Sequence, residues 1–110
     1  MKKQLINPPQ LYDGKPVGLS QAVIDTASGI VYISGQVDWD VNHQVSSHTV
    51  EGQLSNALTN LAVVLEASES SVENLLNLRI YVRGEFGEYW GTIAPIAANT
   101  DFEDAIAFSV

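Results

Sequence analysis

The sequence predicts an α+β fold organised as one domain over residues 1–110, and three observations carry that reading. Two apolar segments, residues 19–25 and 30–37, flank the turn-forming pair Ser28-Gly29, as in a β-hairpin. From residue 50 to 66 the apolar positions recur with a helical period. Residues 77–83 then alternate apolar and polar side chains, the pattern of a strand with two different faces.

Residues 1–16 contain Pro8, Pro9, Gly14 and Pro16 and read as an arm with at most a short strand over 3–6. In the hairpin, Leu19, Gln21 and Val23 alternate with Ser20, Ala22 and Ile24, and the return strand ends at Ser34-Gly35-Gln36. A strand that stops at such small residues lets its backbone approach whatever fills the next space, which suits a pocket rim. Residues 38–47 are polar and read as a loop, with Trp39 and Val41 as apolar exceptions. In the helix over 50–66, Val50, Leu54, Ala57, Leu58, Leu61, Ala62 and Leu65 share one face. Burying its leucines, at about 1.5–3 kcal/mol each, fastens that face to a sheet. Ser70 and Glu73 have the spacing of a capping box and predict a short helical turn. Along 77–83, Leu78, Ile80 and Val82 take the face toward the helix, leaving Asn77, Arg79, Tyr81 and Arg83 on the other. Gly87, Gly91 and Pro95 punctuate the next helical pattern, so a short, kinked or partly irregular helix is expected between 85 and 99. Ala105, Ile106, Ala107 and Phe108 form a closing strand.

A length of 110 residues with 45% hydrophobic content suffices for one core. No apolar run approaches the roughly 18 residues of a membrane span, and residues 1–5 lack the apolar stretch of a secretory signal, so a cytoplasmic protein is expected. The absence of cysteine excludes disulfides, thiolate nucleophiles and Cys-ligated zinc. The formal charge of -8 sets 13 acidic residues against five basic ones. Lys2, Lys3 and Lys15 lie near the N-terminus, and beyond them only Arg79 and Arg83 are positive. An acidic body without clustered cations repels phosphate backbones, so no nucleic-acid partner is expected. His43 and His48 stand near Asp38 and Asp40, but their spacing of five fits no helical or loop ligand pattern, so no metal is assigned and no cofactor is implied.

The segment ending in Ser34-Gly35-Gln36, taken with Gln53, Ala57, Leu58, Asn60, Leu61, Leu65 and Ala67 in QLSNALTNLAVVLEAS, resembles the small imine-deaminase family called RidA, YjgF/YER057c or UK114, formerly endoribonuclease L-PSP. The resemblance covers about residues 7–82. It implies a ferredoxin-like, chorismate-mutase-like mixed sheet with two helices on one face. It also implies a homotrimer joined through the other face, with ligand pockets between subunits. In the family an imine or enamine of a 2-oxo acid is hydrolysed to the keto acid and ammonia. There an arginine in a Pro-Ala-Arg segment grips the carboxylate through charge-assisted bonds of about 1.5–3 kcal/mol, and a glutamate in the last strand helps activate water. Ser34 matches the family's serine near the pocket, Glu103 is the match for the glutamate, and Gln21, Gly35 and Gln36 match as structural residues. No Pro-Ala-Arg segment is present, the last arginine is Arg83, and Leu19 stands where many members have tyrosine. One strand of the family's sheet can therefore be missing, which would expose ladder groups that need a new partner.

The expectation is a divergent RidA-like protein that binds a small metabolite, such as a carboxylate, at clefts between subunits. Its ligand-binding candidates are Ser34, Arg79, Tyr81 and Arg83. Arg79 and Arg83 share a strand face within reach of one carboxylate, Arg79 lying about 7 Å from the next residue on that face, and both could instead pair with acidic groups at a subunit contact. Tyr81 could stack on a ligand or pack in the interface, and Trp39, Phe86, Tyr89 and Trp90 suit core or interface burial better than an aromatic pocket. Ser34 has no identifiable base to make it a nucleophile. Two further readings stand beside this one. The first is an active 2-imino acid deaminase, of the 2-iminobutanoate/2-iminopropanoate type, whose anchor has moved to Arg79 or Arg83. The second is a non-catalytic trimeric scaffold.

Overall fold

Hydrophobic alternation and turn chemistry set the first sheet. The computed structural model describes residues 2–83, 86–98 and 106–109. Strand β1 (Lys3–Ile6) pairs antiparallel with β2 (Ala22–Asp25), which pairs antiparallel with β3 (Val31–Ile33). The β2–β3 turn contains Gly29 at φ 76, a left-handed conformation that glycine adopts without a Cβ penalty. Asp25 accepts from the Ala27 backbone N–H and the Ser28 hydroxyl, so the turn is closed by its own side chains. Both strands are shorter than the apolar runs that encode them, because residues 19–21 and 34–37 leave the ladder to build the polar cluster described below.

Helix α1 (Val50–Ala67) follows the loop. The Thr49 hydroxyl accepts from the Gly52 N–H at 3.1 Å, an N-cap, and Glu51 places a negative charge at the positive end of the helix dipole. At the other end, Ser70 N–H donates to the Leu65 carbonyl and Glu69 N–H to that of Glu66, with Glu69 at φ 57. That is a Schellman closure with glutamate where glycine is usual. A single 3-10 turn (Val72–Asn74) follows. It is the short turn expected there, but its N-cap is Ser71 and not Ser70, so the predicted Ser70–Glu73 capping box is not formed.

Strand β4 (Leu78–Tyr81), helix α2 (Phe86–Ala98) and strand β5 (Ile106–Ser109) complete the chain, with β4 and β5 parallel. The helix, expected as short, kinked or partly irregular, is one 13-residue element with Pro95 inside it. The two helices and the small sheets form an α+β fold. One face of α1 buries Leu58, Leu61 and Leu65 with Ile33, Leu78 and Ile96, so that β3, β4 and α2 meet on the same stripe. Val64 carries a second cluster with Ile6, Leu11 and Ala22. Among the described residues no helix is long and apolar enough to cross a membrane.

Candidate functional site

Two polar assemblies frame the region to which the sequence points. The first centres on Gln21, whose side chain is fully buried. Its Nε2 donates to the Tyr12 carbonyl at 3.0 Å and its Oε1 accepts from Gln36 Nε2 at 2.9 Å. Its backbone N–H donates to Asn7 Oδ1, and its carbonyl accepts from the Ser34 N–H. An amide buried without partners would cost several kcal/mol, and here every capacity of the side chain that matters is used to join the arm, β2 and β3. The second assembly anchors the loop after β3 to α1. Buried Asp38 accepts from Ser47 N–H at 2.7 Å and from Asn56 Nδ2 at 3.0 Å, while Asn60 Nδ2 donates to the Val37 carbonyl at 2.9 Å. Gln53 Nε2 reaches the Ser47 carbonyl. Sequence reasoning did not identify the Asp38 clamp. The signal was Asn56 and Asn60, four apart on the helix beside its apolar stripe.

Between β3 and β4 lies a cleft of about 970 Å³. Residues 29–37 line one side, 74–81 the other, and Leu54, Ala57, Leu58, Leu61 and Leu65 of α1 form the floor. Ser34, just after β3, and Arg79 and Tyr81 of β4 all line it. Arg83 is exposed and is not among the lining residues. Glu103 lies outside the described residues.

The strands aim these groups by their pleat. Val31, Ile33 and Leu78 pack toward α1 and Ile80 is buried, so Tyr32, Ser34, Arg79 and Tyr81 project to the opposite, open face. The Ser34 hydroxyl donates to the Ser20 carbonyl at 2.7 Å, so it can only accept from a ligand. A Cβ on Gly35 would meet nothing within 4 Å, so packing within the chain does not demand glycine there. Arg79 and Arg83 have no hydrogen-bond or ion-pair partner among the described residues. The open face is apolar around them: Leu5, Val23 and Tyr32 form one cross-strand row, and Tyr32 and Tyr81 are 61% and 72% exposed.

His43, at φ 62, packs with Tyr12 and Trp39, the three ring centroids lying 5.1–5.6 Å apart. Those contacts give Trp39 a structural part in pinning the loop to the arm. Among the described residues no group of three acidic or histidine side chains is placed to hold a metal ion.

Comparison with known proteins gives a consistent picture. The family model for endoribonuclease L-PSP matches residues 15–99. A candidate endoribonuclease L-PSP from Entamoeba histolytica is 26% identical, with a TM-score of 0.78 over 99% of this chain and 87% of that one. A Rid-family protein of unknown function from Yersinia pestis, YyfA, is 20% identical, with a TM-score of 0.79 over 98% and 85%. A Mycobacterium tuberculosis member of the YjgF/YER057c/UK114 family is 19% identical, with a TM-score of 0.71 over 99% and 83%. No curated protein matches the chain.

Proposed function

The chain belongs to the endoribonuclease L-PSP family, the RidA/YjgF group, and from that premise we infer that it is a divergent member that binds a small carboxylate metabolite through Arg79. The observation that carries the reading is the convergence of Ser34, Arg79 and Tyr81 on one cleft, with the only cation of β4 unpaired among the described residues. A guanidinium presents a planar fork that matches a carboxylate bidentately, and Tyr81 supplies a face for the rest of the ligand. Ser34 accepts one hydrogen bond from it, and Gly35 leaves room beside the strand. Arg83 is the secondary cation, two positions beyond β4.

The same reading makes the open face a subunit contact. A row of Leu5, Val23 and Tyr32 with exposed Tyr81 is the mixture of apolar, aromatic and arginine side chains that suits an interface. Three copies meeting through it would place Arg79 at a cleft between subunits in a cytoplasmic homotrimer. Nucleic acid is not the ligand of this reading despite the family's name, because a net charge of -8 works against phosphate contact.

The test is calorimetric titration with a panel of 2-oxo acids, alongside hydrolysis of the corresponding 2-imino acids generated in situ. The expected result is saturable binding that Arg79→Ala weakens about tenfold or more, with no acceleration of imine hydrolysis. Acceleration that depends on Arg79 would instead make the protein a deaminase with a relocated anchor. Absence of binding by every carboxylate, with an intact oligomer, would leave the scaffold reading.

A further inference from the structure

We propose that the rings of Tyr12, Trp39 and His43 form a surface cup for a quaternary ammonium head group, a bulky and weakly hydrated cation. The first argument is geometric. The centroids of Tyr12 and Trp39 stand 5.1 Å apart, those of Tyr12 and His43 5.1 Å, and those of Trp39 and His43 5.6 Å, with the planes inclined by 72°, 52° and 66°. No pair is stacked, so no ring face is covered by a parallel neighbour. One cation seated above so small a triangle lies within about 6 Å of all three centroids, the range over which a ring quadrupole attracts positive charge.

Packing does not use up these rings. A cluster that only filled a core would be buried, but Trp39 is 37% exposed and His43 is exposed as well. The loop does not need the rings to hold its shape either. Asp40 N–H donates to the Gln44 carbonyl, Trp39 and Val45 form a bridge, and Asp38 and Asn60 tie the loop to α1. On the arm, Gln21 Nε2 holds the Tyr12 carbonyl. Both segments that carry the rings are thus fixed by hydrogen bonds, and a pre-organised site loses less on binding. His43 joins the cluster from φ 62, a left-handed conformation that favours glycine. A histidine kept there against the backbone's preference points to a use for its ring.

Charge selects the occupant. Asp13 follows Tyr12, and Asp38 and Asp40 flank Trp39. Asp38 is buried in its clamp, whereas Asp13 and Asp40 are exposed. In both exposed residues Oδ1 accepts from backbone N–H groups, and Oδ2 has no hydrogen-bond partner among the described residues. No lysine or arginine occurs between Lys15 and Arg79, and the net charge of -8 adds a long-range attraction for cations. A metal ion would need a group of three acidic or histidine ligands, which the described residues do not provide. A primary ammonium would need acceptors placed for each of its three N–H groups. A quaternary ammonium has no donor and needs only ring faces and a negative potential around them. None of the three rings lines the β3–β4 cleft, so the inference stands apart from the carboxylate reading.

The experiment follows the Trp39 indole and His43 backbone N–H signals by NMR while choline chloride is added, with sodium chloride at equal ionic strength as the blank. The control ligand is 3,3-dimethylbutan-1-ol, which has the shape of choline with carbon in place of the charged nitrogen. The expected result is a saturable shift of both signals with choline, and binding of the neutral alcohol weaker by about tenfold or more. His43→Gly removes one wall and suits the left-handed backbone, so affinity for choline should fall about tenfold while the unfolding midpoint holds or rises. Trp39→Leu should abolish the binding, and should that variant fail to fold, the neutral alcohol and His43→Gly decide the point. Equal affinity for choline and the alcohol would make the cup a plain apolar patch and overturn the proposal. So would the absence of a saturable shift, or an unchanged affinity in folded His43→Gly.

Discussion

The two walls of the β3–β4 cleft are held in place by different chemistry. On the β3 side, buried Gln21 and Asp38 tie the arm, β2, β3, the following loop and α1 together through side-chain hydrogen bonds. On the β4 side no side chain from Leu78 to Tyr81 makes such a bond among the described residues, and the strand rests on α1 through Leu78, with Ile80 buried as well. Hydrogen bonds are directional and fix a geometry, whereas apolar contact is tolerant of small shifts. The difference makes β3 a fixed wall and β4 the one whose exposed side chains are spare for binding.

The largest effect should come from breaking the fixed wall at its centre. Gln21→Ala removes the partner of the Tyr12 carbonyl and one of the two acceptors of Gln36 Nε2, which keeps the Ser34 carbonyl. With about 1–1.5 kcal/mol for each bond and a penalty for the groups left unpaired, a loss of about 3 kcal/mol is expected in urea unfolding. Asp38→Ala comes next, at about 2 kcal/mol, since it frees Ser47 N–H and Asn56. Hydrogen exchange should then accelerate first in residues 38–47, ahead of β2 and β3. By contrast, Arg79→Ala on the other wall should change stability by less than about 0.5 kcal/mol while removing carboxylate binding. A large loss of stability from Arg79→Ala would erase the distinction between the walls.

The same contrast explains what could be read from the chain beforehand. Hydrophobic period is local information, so the helix over 50–66, the alternation of Leu78 and Ile80 with Arg79 and Tyr81, the strand at Lys3–Ile6 and the closing strand were legible. Ser34, Arg79 and Tyr81 were legible as candidates too, one by family resemblance and two by their strand face. The Asp38 clamp was not, because its partners lie 9 and 18 residues away, and nothing in a loop of polar residues marks which carboxylate turns inward. The helix between 85 and 99, expected as short, kinked or partly irregular, is a 13-residue element that carries Pro95 inside it. Proline's cost in a helix is an average, and tertiary packing of Ile93 and Ile96 against the rest of the core outweighs it here. The cleft itself depends on how two sheets are spaced over α1, which no local pattern encodes.

A smaller effect of opposite sign lies at the C-terminus of α1, which leads into the turn before β4. Glu69 occupies a left-handed position at φ 57, which costs a residue with a Cβ about 1 kcal/mol, and it brings a negative charge to the negative end of the dipole. Glu69→Gly should therefore raise the unfolding midpoint, corresponding to about 0.5–1 kcal/mol after the added chain entropy of glycine is deducted. No change, or a loss, would mean that the glutamate side chain contributes a contact that offsets the strain.

The smallest effect belongs to the turn just beyond it. The Ser71 side chain, and then the Glu73 backbone N–H, donate to the Glu73 carboxylate and hold its pKa below the ordinary glutamate value. A depressed carboxylate pKa stabilises the fold above the unfolded value, and that contribution is lost as pH falls through the folded one. Because Glu73 is fully exposed, the consequence should be visible in its own titration and not in global unfolding. Ser71→Ala should move the Glu73 side-chain NMR titration upward toward the ordinary range, leaving the Asp38 clamp and the Gln21 bonds unaffected. A parallel drop in protection of β4 would show that the turn, and not α1 alone, sets the position of the second wall.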